Sequence, residues 1–115
     1  MKEEKSSYFE EKKSKFYAYY YKVNSVDEVD KIIDYLWKEN KKARHIVYAY
    51  KLDGLEKNYT DKEPNGTTRG LIDIIHHKDL NNALIVVVRY FGGTLLGSGH
   101  LTRAYTKVVS DMFNS

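Results

Sequence analysis

The segment spanning residues 89–103 carries more candidate chemistry than any other stretch of the chain. It reads RYFGGTLLGSGHLTR, with Arg89 and Arg103 at its ends, and no aspartate or glutamate occurs from Leu80 to Ser110. Glycine lets the backbone approach a ligand closely, and the free N–H groups at a helix start attract anions. The segment therefore predicts a surface that faces phosphates or nucleic acid. Its four glycines are Gly92, Gly93, Gly97 and Gly99.

Further cations are candidates for the same anion-binding surface. Arg103 and Lys107 are four residues apart and share one face of a helix. Arg44 precedes a predicted strand, Arg69 lies at a predicted helix start, and both are included among the candidates. An alternative stays open for the glycines, which can serve only to make a sharp connection between a strand and a helix.

His45, Asp61 and Glu63 are the weaker candidates, and they concern catalysis. A histidine can act as a general base or proton shuttle, and loop carboxylates two apart can bind a metal or act as acid and base. The structural alternative is that the histidine is simply hydrogen-bonded and that the carboxylates cap turns or helix starts. Either carboxylate could also pair with Arg89, because a buried arginine needs an ionic partner.

Several kinds of site are excluded or disfavoured. The glycine segment lacks the Gly-Lys-Ser/Thr of a P-loop, and its glycine spacing does not fit a dinucleotide fingerprint. The chain has no cysteine, which excludes disulfides, thiolate zinc sites and a cysteine nucleophile. His76 and His77 are adjacent and do not share a helix face, so a metal site there is disfavoured. We expect no metal and no cofactor.

Hydrophobic patterning predicts the elements that position these residues, in the order β-α-β-β-α-β-α. The apolar run at 83–90 predicts a central strand covered by helices, and a helical period predicts a helix at about 98–113. This order indicates an α+β or α/β sandwich with helices on the sheet. The earlier elements are a strand at 14–23, a helix from the Ser25–Glu28 capping box to about Asn40, strands at 43–51 and 56–59, and a short helix capped by Thr67 or Thr68.

Length and composition limit the remaining possibilities. A chain of 115 residues with a net charge of +3 predicts one domain with its own core. Residues 1–12 are of mixed charge and are expected to be frayed. No apolar run approaches the roughly 20 residues that span a bilayer, and no signal peptide is apparent. The eleven tyrosines suit half-buried strands, and Tyr90 and Phe91 can either stack a base or pack the loop.

Three segments together resemble the N-terminal domain of the Impact (YigZ) family. The first reads KSKFYA from Lys13, and the second reads ARHIVYAY from Ala43. The third joins DKEPNGT from Asp61 to VVRYFGGTLLGSGHLTRAY from Val87. The resemblance covers about residues 12–113, and we assign 13–115 to one such domain. It implies an α+β fold similar to the second domain of ribosomal protein S5, here a four-stranded, mostly antiparallel sheet with helices packed on it.

The resemblance also implies a cytoplasmic protein linked to translation. Eukaryotic relatives regulate the translational stress response by binding the partner that activates an initiation-factor kinase, and bacterial relatives have been suggested to bind nucleic acid. We favour a translation-associated regulatory module that contacts RNA or a ribosome-linked protein through the glycine-rich segment. Two alternatives stay open: a protein–protein interaction module of a stress-response regulator, and an enzyme that acts on a phosphorylated substrate through His45, Asp61 and Glu63.

Overall fold

One five-stranded sheet organises the molecule. The computed structural model describes residues 2–114, so residues 1 and 115 of the predicted segments lie outside it. The sheet order is β1-β2-β5-β3-β4, and every neighbouring pair is antiparallel. The elements are β1 (Lys5–Glu11), β2 (Ser14–Lys22), α1 (Val26–Glu39), β3 (His45–Leu52), β4 (Leu55–Tyr59), α2 (Arg69–His77), β5 (Ala83–Tyr90) and α3 (Ser98–Asn114).

Helices cover both faces of the sheet. The central strand β5 is buried from Ala83 to Arg89, because its alternate side chains enter two separate cores. Ala83, Ile85 and Val87 pack with α2 and α3 in one core, whereas Leu84, Val86 and Val88 pack with α1 in the other. The predicted α+β class, the central strand and the order of the later elements are therefore confirmed.

The amino-terminal segment corrects the prediction. Residues 5–11 form β1 and are not frayed, so the sheet has five strands rather than four. Phe9 lies opposite Phe16 of β2 and packs against the core of α2 and α3. The Ser7 hydroxyl donates to the carbonyl of Val108 in α3 at 2.6 Å, and the Lys5 ammonium lies 6.0 Å from the ring centroid of Phe113. These contacts hold β1 against α3, although few of the side chains of β1 are apolar.

The helix starts follow the predictions in part. The Ser25 hydroxyl accepts from the Glu28 N–H at 3.1 Å, while the Glu28 carboxylate accepts from the Asn24 N–H at 3.3 Å. This is the predicted capping box, except that the Glu28 carboxylate accepts from the N–H of Asn24 rather than from the N–H of Ser25 itself. Thr68 stands at the N-cap of α2 but makes no side-chain capping bond, because its backbone is helical (φ −85°, ψ −3°) rather than extended. Its hydroxyl donates to Asn58 Oδ1 at 3.0 Å. The Thr67 hydroxyl donates to the Pro64 carbonyl. The predicted position of the N-cap at Thr68 is therefore confirmed, whereas a capping bond from a threonine side chain is absent.

Gly70 of α2 lies where the backbones of α2 and α3 approach each other closely. A Cβ on Gly70 would lie 2.5 Å from Thr106 Oγ1 and 2.8 Å from Thr106 Cα. The two helices meet at this point and bring the start of α2 beside α3. Within residues 2–114, no helix is both long enough and apolar enough to cross a membrane.

Candidate functional site

Glu63 lies at the centre of a buried polar cluster at one end of the sheet. It belongs to the loop between β4 and α2, and Arg89 of β5 approaches its two carboxylate oxygens through Nη1 at 3.1 and 2.8 Å. The Tyr105 hydroxyl of α3 donates to the same carboxylate at 2.5 Å. Glu63 is 7% exposed and Arg89 is 5% exposed. A loop, a strand and a helix are therefore joined through one buried carboxylate.

His45 and Asp61 extend this cluster towards the surface. His45 lies opposite Arg89 in the register of β3 and β5. Its Nδ1 is 3.4 Å from Asp61 Oδ2, and its Nε2 is 3.4 Å from Glu63 Oε1. A protonated imidazole can donate towards both carboxylates, whereas a neutral one has a single N–H. Asp61 is itself fixed, because it accepts from the Ile46 N–H at 3.0 Å and from the Tyr59 hydroxyl at 3.2 Å.

The three catalytic candidates are thus brought together in one network with Arg89 and Tyr105. Within residues 2–114, the buried Nε of Arg89 has no hydrogen-bond partner. Burial raises the pKa of Tyr105 well above its ordinary range, and the Glu63 carboxylate adds to the effect. The Arg89 side chain pairs with Glu63, which is the structural alternative for that arginine. Within residues 2–114, no group of three or more metal-ligating side chains is arranged to hold a metal ion. The arrangement can hold the loop containing Asp61 and Glu63 against β5 and α3.

The glycine-rich loop at 91–97 is tied to this cluster through Ser14. The Ser14 hydroxyl accepts from Arg89 Nη2 at 3.4 Å and from the Gly92 N–H at 3.3 Å. A Cβ on Gly92 would lie 2.1 Å from the carbonyl carbon of Lys13, and Gly93 has a φ of +90°. These two glycines are required by local geometry.

The other two glycines of the segment have a different environment. A Cβ on Gly97 would meet nothing within 4 Å, and one on Gly99 would meet only Arg103 Nη1 at 3.4 Å. Backbone geometry therefore does not require glycine at either position. Both lie at the start of α3, where they leave the backbone open to solvent.

A groove of about 350 Å³ lies between the starts of α2 and α3. It brings together Arg69, Gly99 and Arg103 from the predicted set, although Arg69 and Arg103 are far apart in sequence. No carboxylate lines it. Its lining residues are Asn65, Gly66, Arg69, Ser98, Gly99, Thr102 and Arg103. We call it the α2–α3 groove.

The remaining cations of the predicted set do not line the α2–α3 groove. The Arg44 guanidinium lies over the ring of Phe91, 4.7 Å from its centroid. Lys107 lines two neighbouring grooves together with Arg103, and its Nζ pairs with Asp111 at 3.1 Å. Arg89 is buried against Glu63. The anion-binding candidates are therefore distributed over at least three parts of the molecule.

Sequence reasoning missed several residues of these sites. Tyr105 falls on the buried face of α3, and a buried tyrosine hydroxyl requires a partner, so this residue could have been assigned to a polar cluster. Nothing in the pattern around Ser14 indicates its role. Ser98 and Thr102 are polar positions beside the predicted glycines, and only the packing of α2 on α3 identifies them as part of a groove.

The chain is an α+β domain, because helices cover both faces of an antiparallel sheet. A buried polar cluster lies beside its glycine-rich loop. Residues 12–113 match the family model of the Impact N-terminal domain, and the chain belongs to this family. The resemblance that the three sequence segments indicate is confirmed.

Relatives occur in bacteria and in eukaryotes. The chain is 35% identical over 106 residues to the IMPACT family member YvyE of Bacillus subtilis, with 89% of this chain and 49% of that protein covered. It is 35% identical over 95 residues to protein IMPACT of Danio rerio, with 76% of this chain and 30% of that protein covered. The chain thus spans about half the length of these curated relatives, or less.

Solved structures show the same fold. The crystal structure of a hypothetical protein superimposes with a TM-score of 0.87 at 26% identity, over 96% of this chain and 57% of that one. The two-domain translational regulator Yih1 superimposes with a TM-score of 0.53 at 23% identity, over 96% of this chain and 45% of that one. The second likeness concerns the fold alone.

Proposed function

We propose that this domain is a translation-regulatory binding module that contacts RNA through the α2–α3 groove. The observation that carries the proposal is the pair of arginines in that groove, Arg69 and Arg103. Both are exposed, and neither makes an ion pair within residues 2–114. Their charges are therefore available to a ligand.

The groove has the chemistry of a phosphate contact. Arginine presents a planar fork of donors that matches a phosphate. The Ser98 hydroxyl and the open backbone at Gly99 add neutral donors at the start of α3, where the helix dipole favours negative charge. The Thr102 hydroxyl donates to the Ser98 carbonyl at 2.9 Å and only lines the groove. No carboxylate in the lining opposes an anion.

The regulatory part of the proposal draws on a protein of the same fold and on the family resemblance. Yih1, which is described as a translational regulator, shares the fold of this chain, and the chain shares the Impact N-terminal domain with proteins named IMPACT. We extend this to a cytoplasmic location, a role in the stress response and a ribosome-associated setting for the RNA or the partner. These extensions rest on the family resemblance.

One observation favours a second function, the docking of a protein partner. Leu95 in the glycine-rich loop is 86% exposed, and an exposed leucine can act as an anchor in an apolar pocket of another protein. Such docking depends weakly on salt, whereas contacts to phosphates are strongly salt-dependent. The enzyme alternative has less support, because His45, Asp61 and Glu63 are engaged with one another and with Arg89.

The proposal is tested by fluorescence anisotropy with a labelled single-stranded RNA, from about 50 to 200 mM salt. The test variant is Arg69→Gln/Arg103→Gln. The matched control is Lys31→Gln/Lys38→Gln, which removes the same charge from exposed positions of α1 on the opposite face of the sheet.

We expect the test variant to bind more weakly and to lower the slope of log K against log salt by about 1.4, or roughly 0.7 for each lost contact to a single strand. The control should bind within about twofold of the wild type, because it changes only the distant field. Equal binding by the test variant and the wild type, or no RNA binding at all, would overturn the proposal. A Leu95→Ser variant in a partner-capture experiment would then test protein docking.

A further inference from the structure

A second groove lies at the other end of the glycine-rich loop. It has a volume of about 570 Å³ and is formed by the turn between β1 and β2 and by the end of β5. Its lining residues are Glu10, Lys13, Lys15, Tyr90, Phe91 and Gly92. It shares no lining residue with the α2–α3 groove. We call it the aromatic–lysine groove.

The aromatic side of this groove is held rigidly. The Tyr90 hydroxyl donates to Asn40 Oδ1 at 2.6 Å. Its ring and the ring of Tyr17 are nearly perpendicular, with their centroids 5.8 Å apart. The guanidinium of Arg44 lies 4.7 Å from the centroid of Phe91. Because Arg44 covers one face of the Phe91 ring, a base would stack on the opposite face of that ring, in the groove that Phe91 and Tyr90 line.

The charged side of the groove is mainly basic. Lys13 and Lys15 are exposed, and neither makes an ion pair within residues 2–114. The single carboxylate in the lining is that of Glu10, which accepts a hydrogen bond from the Tyr8 hydroxyl at 2.7 Å. Two free ammonium groups beside a stacking platform match a base together with the phosphates that flank it.

The turn that carries these charges has an unusual composition. Lys12 and Lys13 have φ angles of 47° and 70°, which in a two-residue hairpin turn favour Asn-Gly or Asp-Gly over lysine. Gly92 packs directly on the Lys13 backbone, so the turn and the glycine-rich loop form one surface. Strained residues of this kind concentrate at binding sites.

We propose that the aromatic–lysine groove binds an unpaired base of single-stranded RNA, with the base on Tyr90 and Phe91 and the adjoining phosphates on Lys13 and Lys15. This inference rests on the proposed function, because it assumes that RNA is the ligand. It adds the selectivity: the groove takes an unpaired base, so single strands are preferred over duplexes. An acidic protein segment on the same lysines is the competing outcome.

Three probes of equal length separate bases from phosphates. They are a short uridine oligomer, a ribose-phosphate oligomer without bases, and an RNA duplex. The wild type should bind the uridine oligomer about fivefold or more tightly than the other two, because stacking contributes that much per base. Equal affinity for the uridine and base-free oligomers, or for the single strand and the duplex, would overturn the proposal whatever the variants do.

Two variants then place the site. Lys13→Gln/Lys15→Gln should weaken binding of both single-stranded probes, whereas Phe91→Leu should weaken binding of the uridine oligomer and leave the base-free one unchanged. Lys31→Gln/Lys38→Gln is again the charge control. Thermal unfolding of each variant establishes that it is folded, and the lysine variant changes only exposed side chains.

The outcomes distinguish this proposal from the previous one. If Arg69→Gln/Arg103→Gln weakens RNA binding and Lys13→Gln/Lys15→Gln does not, the α2–α3 groove stands and the aromatic–lysine groove is refuted. The reverse pattern refutes the α2–α3 groove alone. If the wild type binds none of the RNA probes, the proposals for both grooves are refuted. The competing ligand for Lys13 and Lys15 is then an acidic protein segment.

Discussion

Removing the Glu63 carboxylate should cost this fold a large part of its stability. In a Glu63→Leu variant the Arg89 guanidinium keeps its charge but loses its ionic partner while remaining buried. Breaking a buried pair from one side costs about 3–5 kcal/mol. The Tyr105 hydroxyl also loses its acceptor, which adds about 1–3 kcal/mol. The sum, about 4–8 kcal/mol, is comparable to the whole stability of a small domain, about 5–15 kcal/mol.

The same reasoning predicts that further substitutions restore stability. The triple variant Glu63→Leu/Arg89→Met/Tyr105→Phe removes the stranded charge and the stranded hydroxyl together. Replacing a buried ion pair by apolar side chains of similar volume is often neutral or stabilising. We therefore expect the triple variant to recover most of the stability that the single variant loses, although it carries more changes.

Urea denaturation followed by circular dichroism measures both effects as changes in the free energy of unfolding. Asp111→Ala is the control, because it breaks the Lys107–Asp111 pair, whose side chains are 54% and 48% exposed. That change should cost no more than about 0.5 kcal/mol. A loss below about 1 kcal/mol in Glu63→Leu, or a triple variant no more stable than the single one, would refute the view that this cluster is a buried and mutually dependent network.

Three other predictions follow from local geometry. Gly92→Ala should destabilise the protein by about 3 kcal/mol or more, because the new Cβ would meet the Lys13 backbone at 2.1 Å. Gly97→Ala should not destabilise it, because the space around Gly97 is open, and equal melting temperatures for the two variants would contradict this prediction. The pKa of Tyr105 is raised above its ordinary value of 10, so its stabilising effect is complete below pH 10 and is lost as the pH rises towards the folded-state value. In a tyrosinate absorbance titration, native wild type and native Tyr105→Phe should therefore titrate alike. The wild type should show one additional tyrosinate only after it unfolds at alkaline pH, and a native protein in which Tyr105 titrates near pH 10 would contradict the prediction. Ser25→Ala should cost about 1 kcal/mol in urea denaturation through loss of the N-cap of α1, and an unchanged midpoint would show that the capping bond contributes nothing.

The strongest sequence patterns predicted the elements well. The apolar run at 83–90 and the helical period after Ser98 gave β5 and α3 almost to the residue, because a strand buried on both faces and a long amphipathic helix each leave an unambiguous pattern. The strand β1 was missed for the opposite reasons. It is a charged edge strand, and its hairpin turn is Lys12-Lys13, which carries none of the usual turn residues.

The candidate sites were predicted only as lists of residues. That Arg89 needs a carboxylate follows from its place in an apolar strand, but the choice of Glu63 over Asp61 depends on how the loop folds over β5. The α2–α3 groove joins Arg69 to Arg103, which no local pattern connects. The pairing of Lys107 with Asp111, by contrast, is an i,i+4 contact that the sequence does contain.

The contacts of β1 with the last turns of α3 bring the two ends of the chain together at one corner. Ser7 bonds to Val108 and Lys5 lies beside Phe113, while α3 begins at the α2–α3 groove, a helix length of about 25 Å away. The same proximity makes the fold a good subject for circular permutation. A short linker between the ends and a new opening at the exposed Asp53–Gly54 turn should preserve all five strands.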